Sequence, residues 1–229
     1  MRELFLLAGI DLTEEQVARF SRYADLLIEY NEKFNLTAIT ERSDVYEKHF
    51  LDSVLAEKYI PAGASVIDVG SGAGFPAIPL KIVRPDLRFV LLDSLNKRVG
   101  FLQTVIGELG LTGIEAIHAR AEDFAKTAKR ESFDVAVARA VAPYDVLAEY
   151  CLPFVKVGGI FLAYKGQNAE AEREEGKRAV RILGGETPVL RAYALPNGDK
   201  RAIIETKKAS LTPAKYPRGQ NKPRLSPLR

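Results

Sequence analysis

The sequence predicts an α/β fold: a mostly parallel, seven-stranded sheet that finishes with an antiparallel strand, preceded by a helical cap. Three observations predict it. Residues 65 to 85, SVIDVGSGAGFPAIPLKIVRP, read as a short apolar strand, a glycine turn and an apolar helix. Apolar runs and helical segments then alternate as far as residue 183, the pattern of parallel β-α-β units. Finally, Asn197-Gly198 stands between two strand-like runs, a hairpin signal that turns the last strand antiparallel.

Taken in order, Thr13 with Gln16 forms a capping box, and Val17, Phe20, Ala24, Leu27 and Tyr30 recur at helical spacing, giving a helix over residues 14 to 33. FNLTAIT breaks that pattern. Ser43 is then expected to cap a second helix through HFLDSVLAEKY, with Val45, Leu51, Val54 and Leu55 on one face, ended by Pro61 and Gly63. The division expected is a cap over residues 1–60, a core domain over 61–206 and a tail over 207–229. Within the cap, Asn35, Lys48, His49 and Asp52 read first as solvated groups or as capping and packing contacts, with a functional role as the lesser reading.

Gly70, Gly72 and Gly74 on alternate positions let the backbone turn sharply and admit a ligand where a Cβ would block it. The turn feeds a helix N-terminus, whose unpaired N–H groups attract electron-rich ligand atoms. A nucleotide-like cofactor follows. The dinucleotide fingerprint G-x-G-x-x-G places its third glycine three positions after the second, whereas this chain has D-V-G-S-G-A-G, with Asp68 two residues before the first glycine. A carboxylate there would repel a pyrophosphate and suits a cationic group instead. S-adenosylmethionine, which carries an ammonium and a sulfonium and no phosphate, meets that demand.

LRFVLLDS is the second strand, ending in Asp93, 19 residues past Gly74. A carboxylate at that strand end suits the two ribose hydroxyls of a nucleoside; the alternative is a cap for the following helix, which Ser94 would serve equally well. GIEAIHARAEDF gives a third strand and a turn at Ala121, Glu122 and Asp123 facing the adenine. FDVAVARAV, nearly all apolar, is a strand buried on both faces that delivers Arg139 to its carboxyl end. Its guanidinium suits a cofactor carboxylate or a nucleic-acid phosphate, or else a structural ion pair with Asp68 or Asp93. A helix YDVLAEYCLPFV, a strand GGIFLAYKG carrying Lys165, and a charged helix with a solvated face follow, before the hairpin.

At 229 residues with 47% hydrophobic content, the chain suits one well-buried domain with decorations. No apolar run approaches the roughly 20 residues of a membrane helix, and MRELFLLAGIDLTEE is too short and acidic for a signal peptide, so a cytoplasmic protein away from membranes is expected. The lone Cys151 reads as a buried thiol, and neither His49 nor His118 has neighbours at metal-ligand spacing, so no metal site is expected. Of 33 Lys and Arg, seven fall in residues 207–229, which hold no Asp or Glu; the remainder has 26 against 30 acids, a charge of −4. That tail, LTPAKYPRGQNKPRLSPLR, is too rich in proline and charge to build a core: it reads as a disordered end or as an arm on RNA, with Tyr216 and Arg218 stacking on bases and Lys215 and Lys222 on phosphates.

Read together, FNLTAIT, KHFLDS, DVGSGAGFPAIPLKI, RAEDF, VARAVAP, AYKG and KYPRGQNKP stand in the order and spacing of one family. The chain resembles the glucose-inhibited division protein B family, bacterial methyltransferases of guanine N7 in small-subunit ribosomal RNA. The resemblance spans about residues 15 to 229. It implies a class I, Rossmann-like methyltransferase fold and an S-adenosylmethionine site built from Gly70, Phe75, Asp93, Ser94, Leu95, Ala121, Glu122 and Arg139. It also implies a substrate in 16S rRNA or the small ribosomal subunit. Arg139, Lys165 and the basic tail are the candidate phosphate or base contacts, and a monomer is expected. No catalytic base is expected. Two rival classes share these features: a small-molecule methyltransferase and a non-catalytic RNA-binding assembly factor.

Overall fold

The computed structural model describes residues 1–228. Seven strands form one sheet: β1 Ser65–Val69, β2 Arg88–Asp93, β3 Ile114–His118, β4 Phe133–Arg139, β5 Val155–Lys165, β6 Val189–Ala194 and β7 Lys200–Lys207. Their order is β3-β2-β1-β4-β5-β7-β6. β1 to β5 pair parallel, and β7 lies antiparallel between β5 and β6. The expected hairpin is present, with Gly198 at φ +88° in the turn. Because the chain winds outward from β1 through β2 to β3 and then returns to the other side of β1 as β4, the strand order reverses between β1 and β4. A crevice opens there, beyond the carboxyl ends of the strands.

Alternation along the strands divides the core between two faces. Val66, Leu91, Val135 and Val137 pack toward the N-terminal cap, and Ile67, Val69, Leu92, Ala136 and Ala138 toward helices Tyr144–Cys151 and Ala169–Ile182. Burial of the Cys151 thiol within the second of these raises its pKa.

The cap is built on aromatic rings. The Thr13–Gln16 capping box is formed in both directions, at 3.2 and 2.9 Å, and starts a helix over Glu14–Phe34. Its Phe20 and Tyr23 lie 5.1 and 4.9 Å from Phe50, ring centre to ring centre, and Phe20 lies 5.2 Å from Phe5. The second helix departs from its expected form. Ser43 lies within a turn at Arg42–Asp44 whose N-cap position is Glu41, and the chain continues as a wide π-helix over Val45–Leu51, a helical turn at Asp52–Val54 and a 3-10 turn at Glu57–Tyr59. The apolar spacing was compatible with either helix; the wider turn hands carbonyls of the helix to Arg139, as described below.

The tail also differs from expectation, because it packs. Lys208 is fully buried, and its ammonium donates to the Leu152 carbonyl and the Thr212 hydroxyl, both at 2.6 Å. Arg130 donates to the carbonyls of Thr212 at 2.7 Å and Tyr216 at 2.8 Å. Apolar content could not have revealed this, since charged side chains bonded to backbone oxygens hold the segment down. The Tyr216 ring is buried, so base stacking by it does not survive.

Candidate cofactor site

The glycine turn is fixed from below by the neighbouring strand. The N–H groups of Gly70 and Ser71 donate to the Leu92 carbonyl at 2.8 and 3.2 Å. At Gly70, φ +77°, an added Cβ would stand 2.6 Å from Val141, and at Gly74, φ +100°, it would stand 2.5 Å from Ile78 and 2.6 Å from the Tyr23 hydroxyl. These two positions therefore demand glycine. At Gly72 no such crowding exists; its N–H donates to Asp93 Oδ2 at 2.9 Å, while Asp93 Oδ1 accepts from the Leu95 N–H at 2.9 Å. Asp93 thus ties the turn to the next helix, and Arg98 stands 3.5 Å away. Ser94 caps nothing, since Leu95 holds the N-cap position without a side-chain bond.

Asp68 is fully buried beneath this turn, on the side facing the cap, and is not among the groups lining the cleft. The Ser71 hydroxyl donates to its backbone carbonyl at 3.1 Å, and neither carboxylate oxygen has a hydrogen-bond partner. Burial pushes its pKa up to about 8, against the pull of the nearby Ser71 hydroxyl, the Ala77 N–H and Arg139. Without a ligand this unpartnered carboxyl holds its proton near neutral pH, and a cationic group bound above the glycine turn would draw it toward its charged form, so the residues present fit S-adenosylmethionine.

Above the turn lies a cleft of about 940 Å³, lined among others by Thr37, His49, Gly70, Gly72, Phe75, Asp93, Ser94, Arg139 and Lys165. A smaller chamber of about 300 Å³ adjoins it, lined by Ala119, Arg120, Ala121, Glu122 and Tyr150, and shares Gly70, Ser94, Val141 and Arg224 with it. Ala121 and Glu122 begin a short helix, Ala121–Phe124, rather than a simple turn. The structure therefore brings Gly70, Gly72, Phe75, Asp93, Ser94, Ala121, Glu122 and Arg139 to two joined chambers at the switch between β1 and β4. Leu95 enters through its N–H on Asp93.

Arg139 is paired, but with neither Asp68 nor Asp93. Its guanidinium donates to Asp52 Oδ2 at 3.0 Å and to the carbonyls of Lys48 and His49 at 3.4 and 3.2 Å, meets His49 Nδ1 at 3.2 Å, and lies 4.7 Å over the Phe75 ring. The His49 ring stacks on Phe75, 4.5 Å between ring centres, and its Nε2 meets the Thr37 hydroxyl at 2.8 Å. Burial and the adjacent guanidinium lower the His49 pKa to about 3, so the ring is neutral. Asp52 also accepts from Tyr193 at 2.8 Å. The KHFLDS stretch thus supplies the partners of Arg139. Sequence spacing alone left them unassigned because 87 residues separate Asp52 from Arg139.

Two expected RNA contacts are otherwise engaged. Lys165 is buried, with its ammonium 2.7 Å from both the Ala142 carbonyl and Glu172. A buried ammonium needs such partners, so it is not offered freely to a phosphate. Arg218 is held by Glu149, which accepts from its backbone N–H at 2.8 Å and from its Nε and Nη2 at 2.9 and 2.7 Å. Lys215 and Lys222 remain exposed. Among the described residues no group of three or more His, Cys, Asp or Glu is placed to hold a metal, and no helix is long and apolar enough to cross a membrane.

A parallel sheet with one inserted antiparallel strand, a glycine turn after β1 and an acid closing β2 define a class I, S-adenosylmethionine-dependent methyltransferase. The fold of a SAM-dependent methyltransferase from Aquifex aeolicus is similar, with a TM-score of 0.53 at 16% identity over 72% of this chain and 93% of that one. More narrowly, residues 16–198 match the profile of the GidB family, described as rRNA small subunit methyltransferase G, and the chain belongs to that family. It is 50% identical over 226 residues to the ribosomal RNA small subunit methyltransferase G of Leuconostoc mesenteroides, covering 96% of this chain and 95% of the relative. With the protein of the same description from Geobacillus thermodenitrificans it shares 51% identity over 224 residues, covering 96% and 94%.

Proposed function

We propose that this enzyme transfers a methyl group from S-adenosylmethionine to N7 of a guanine in 16S rRNA, acting as a cytoplasmic monomer on the small ribosomal subunit. The observation that carries the reading is the pair of joined chambers, one bounded by Ala121 and Glu122 and the other open beside Phe75, His49 and Arg139. In this reading Asp93 faces the ribose, Ala121 and Glu122 the adenine, and Gly70, Gly72, Ser94 and Phe75 line the space between. When bound, the cofactor supplies an electrophilic methyl group.

No side chain here is arranged as a general base. His49 is neutral with both ring nitrogens occupied, and the carboxylate of Asp52 is taken by Arg139 and Tyr193. Guanine N7 already carries an available lone pair, so the reaction needs alignment rather than proton removal. Alignment of this kind contributes about 7–11 kcal/mol in favourable cases. Residues Leu36, Thr37, Ile39 and His49 offer a partly apolar wall for an extruded base, with the Phe75–Arg139 stack behind it. Of the basic tail, Lys215 and Lys222 are the exposed phosphate contacts.

The test is transfer of labelled methyl to small subunits from cells lacking the modification, followed by mapping of the base. Label at a single guanine N7 is expected. Label absent from RNA, with cofactor bound, would favour the small-molecule reading.

A further inference from the structure

The family match ends at residue 198, yet the chain beyond it returns to the cofactor chambers. Gln220 and Asn221 both take left-handed backbone, at φ +58° and +60°. Two such residues in succession are held only where the surroundings over-determine them. They reverse the chain, seat Pro223 in a buried position and bring Asn221 and Arg224 to the smaller chamber that Glu122 also lines. Arg224 lines both chambers where they join. Its Nη2 donates to the Val141 carbonyl at 3.0 Å, and the side chain of Val141 is the one that closes on Gly70.

The anchor of this reversal is an ion pair on a buried carboxylate. Glu149, almost wholly inaccessible, accepts from Arg218 through three donors, and Arg218 Nη2 also holds the Ser226 carbonyl at 2.8 Å. Next to Glu149 in sequence, Tyr150 lines the same chamber as Asn221, and the two polar ends stand 3.5 Å apart.

We propose that the C-terminal segment is a cofactor-binding element: Asn221 and Arg224 complete the wall around the nucleoside, and Arg218 is a positioning residue that acts through Glu149. The inference rests on reading the two chambers as the S-adenosylmethionine site. It gives the basic tail a task independent of RNA. Arg224 is exposed, so its removal takes away a donor at the pocket lip without opening a core.

The experiment is calorimetric titration of the full-length protein with S-adenosylhomocysteine, with no RNA present. Arg224→Ala and Asn221→Ala are each expected to weaken binding by about 5- to 10-fold, the range of one lost hydrogen bond. Arg218→Ala is expected to weaken it similarly, and Arg218→Lys to recover part of the loss, which a mere change in folding stability would not track. Lys207→Ala, remote from the chambers, serves as the unchanged reference. Affinities of Arg224→Ala and Asn221→Ala equal to that of the unaltered protein would overturn the proposal, also if those variants lost affinity for 16S rRNA. Failure of the unaltered protein to bind at all would overturn the site reading itself.

Discussion

The two ends of the chain both fold onto the sheet around the same crevice, but by different physics. The N-terminal cap is held by rings: Phe5, Phe20, Tyr23 and Phe50 form a continuous buried cluster that reaches Phe75 at the site. The C-terminal segment is held by charges: Lys208 on Leu152 and Thr212, Arg130 on two carbonyls, Arg218 on Glu149. Dispersion and burial in the first are spread over many atoms, so the cap shares the fate of the core. The polar contacts of the second are few and directional, and water regains most of them if the segment lifts away.

The sharpest way to break the comparison is at Phe50, which touches Phe20, Tyr23, Tyr46 and Phe75. Phe50→Ala is expected to cost about 3–5 kcal/mol of global stability by denaturant titration. A loss below about 1 kcal/mol would mean that the cap is a separate, weakly attached unit. Between the two regions stands Asp93, and Asp93→Ala is expected to weaken cofactor binding by about 10- to 100-fold while leaving both ends attached, since it removes two charge-assisted bonds. Unchanged affinity would refute the ribose assignment.

Arg218→Ala is expected to act locally. Stranding Glu149 in a wholly buried site is costly, but the segment lifts off and rehydrates it, which limits the global loss to about 1–2 kcal/mol. Limited proteolysis should then cut within residues 208–228 before the core unfolds. Simultaneous loss of core and tail would show that the two ends are equally cooperative.

The most local effect is on pH dependence, and it probes the cap side alone. Asp68 keeps a proton up to about 8 when folded and releases it near the ordinary carboxylate range when unfolded, so stability falls as pH rises between those values. His49 stays neutral down to about 3 when folded and is protonated below about 6.5 when unfolded, so stability rises with pH across that window. The two slopes oppose each other up to about pH 6.5. Above it the Asp68 slope stands alone, at most about 1.4 kcal/mol per pH unit as far as about pH 8. Asp68→Asn should abolish that decline; a decline that persists would mean that the carboxylate is ionised in the folded protein.

The same contrast explains what the sequence made legible. Strands β1 to β7, the glycine turn and the Thr13 cap follow from apolar periodicity and turn residues, which are local signals. The places of Gly70, Asp93, Glu122 and Arg139 beside the crevice were legible because strand ends converge there whatever the loops do. The Arg139 partners, the π-helix at Val45–Leu51, the burial of Lys165 and the seating of the tail were not. Each depends on charged or ambivalent side chains finding distant oxygens, and such pairings leave no period in the chain. The doublet KHFLDS and VARAVAP carried the Arg139–Asp52 contact in plain view, without a rule to join them.

The placement of β7 has one last consequence, for synthesis. It is the final strand to be made, yet it fills the slot between β5 and β6. Until about residue 207 has left the ribosome, β5 is an open edge and β6 has no partner in the sheet. The fold therefore closes late and one strand in from its edge, so a nascent chain cut short at the hairpin would expose the free edge of β5 and an unpaired β6 and gather into aggregates rather than persist as a smaller enzyme.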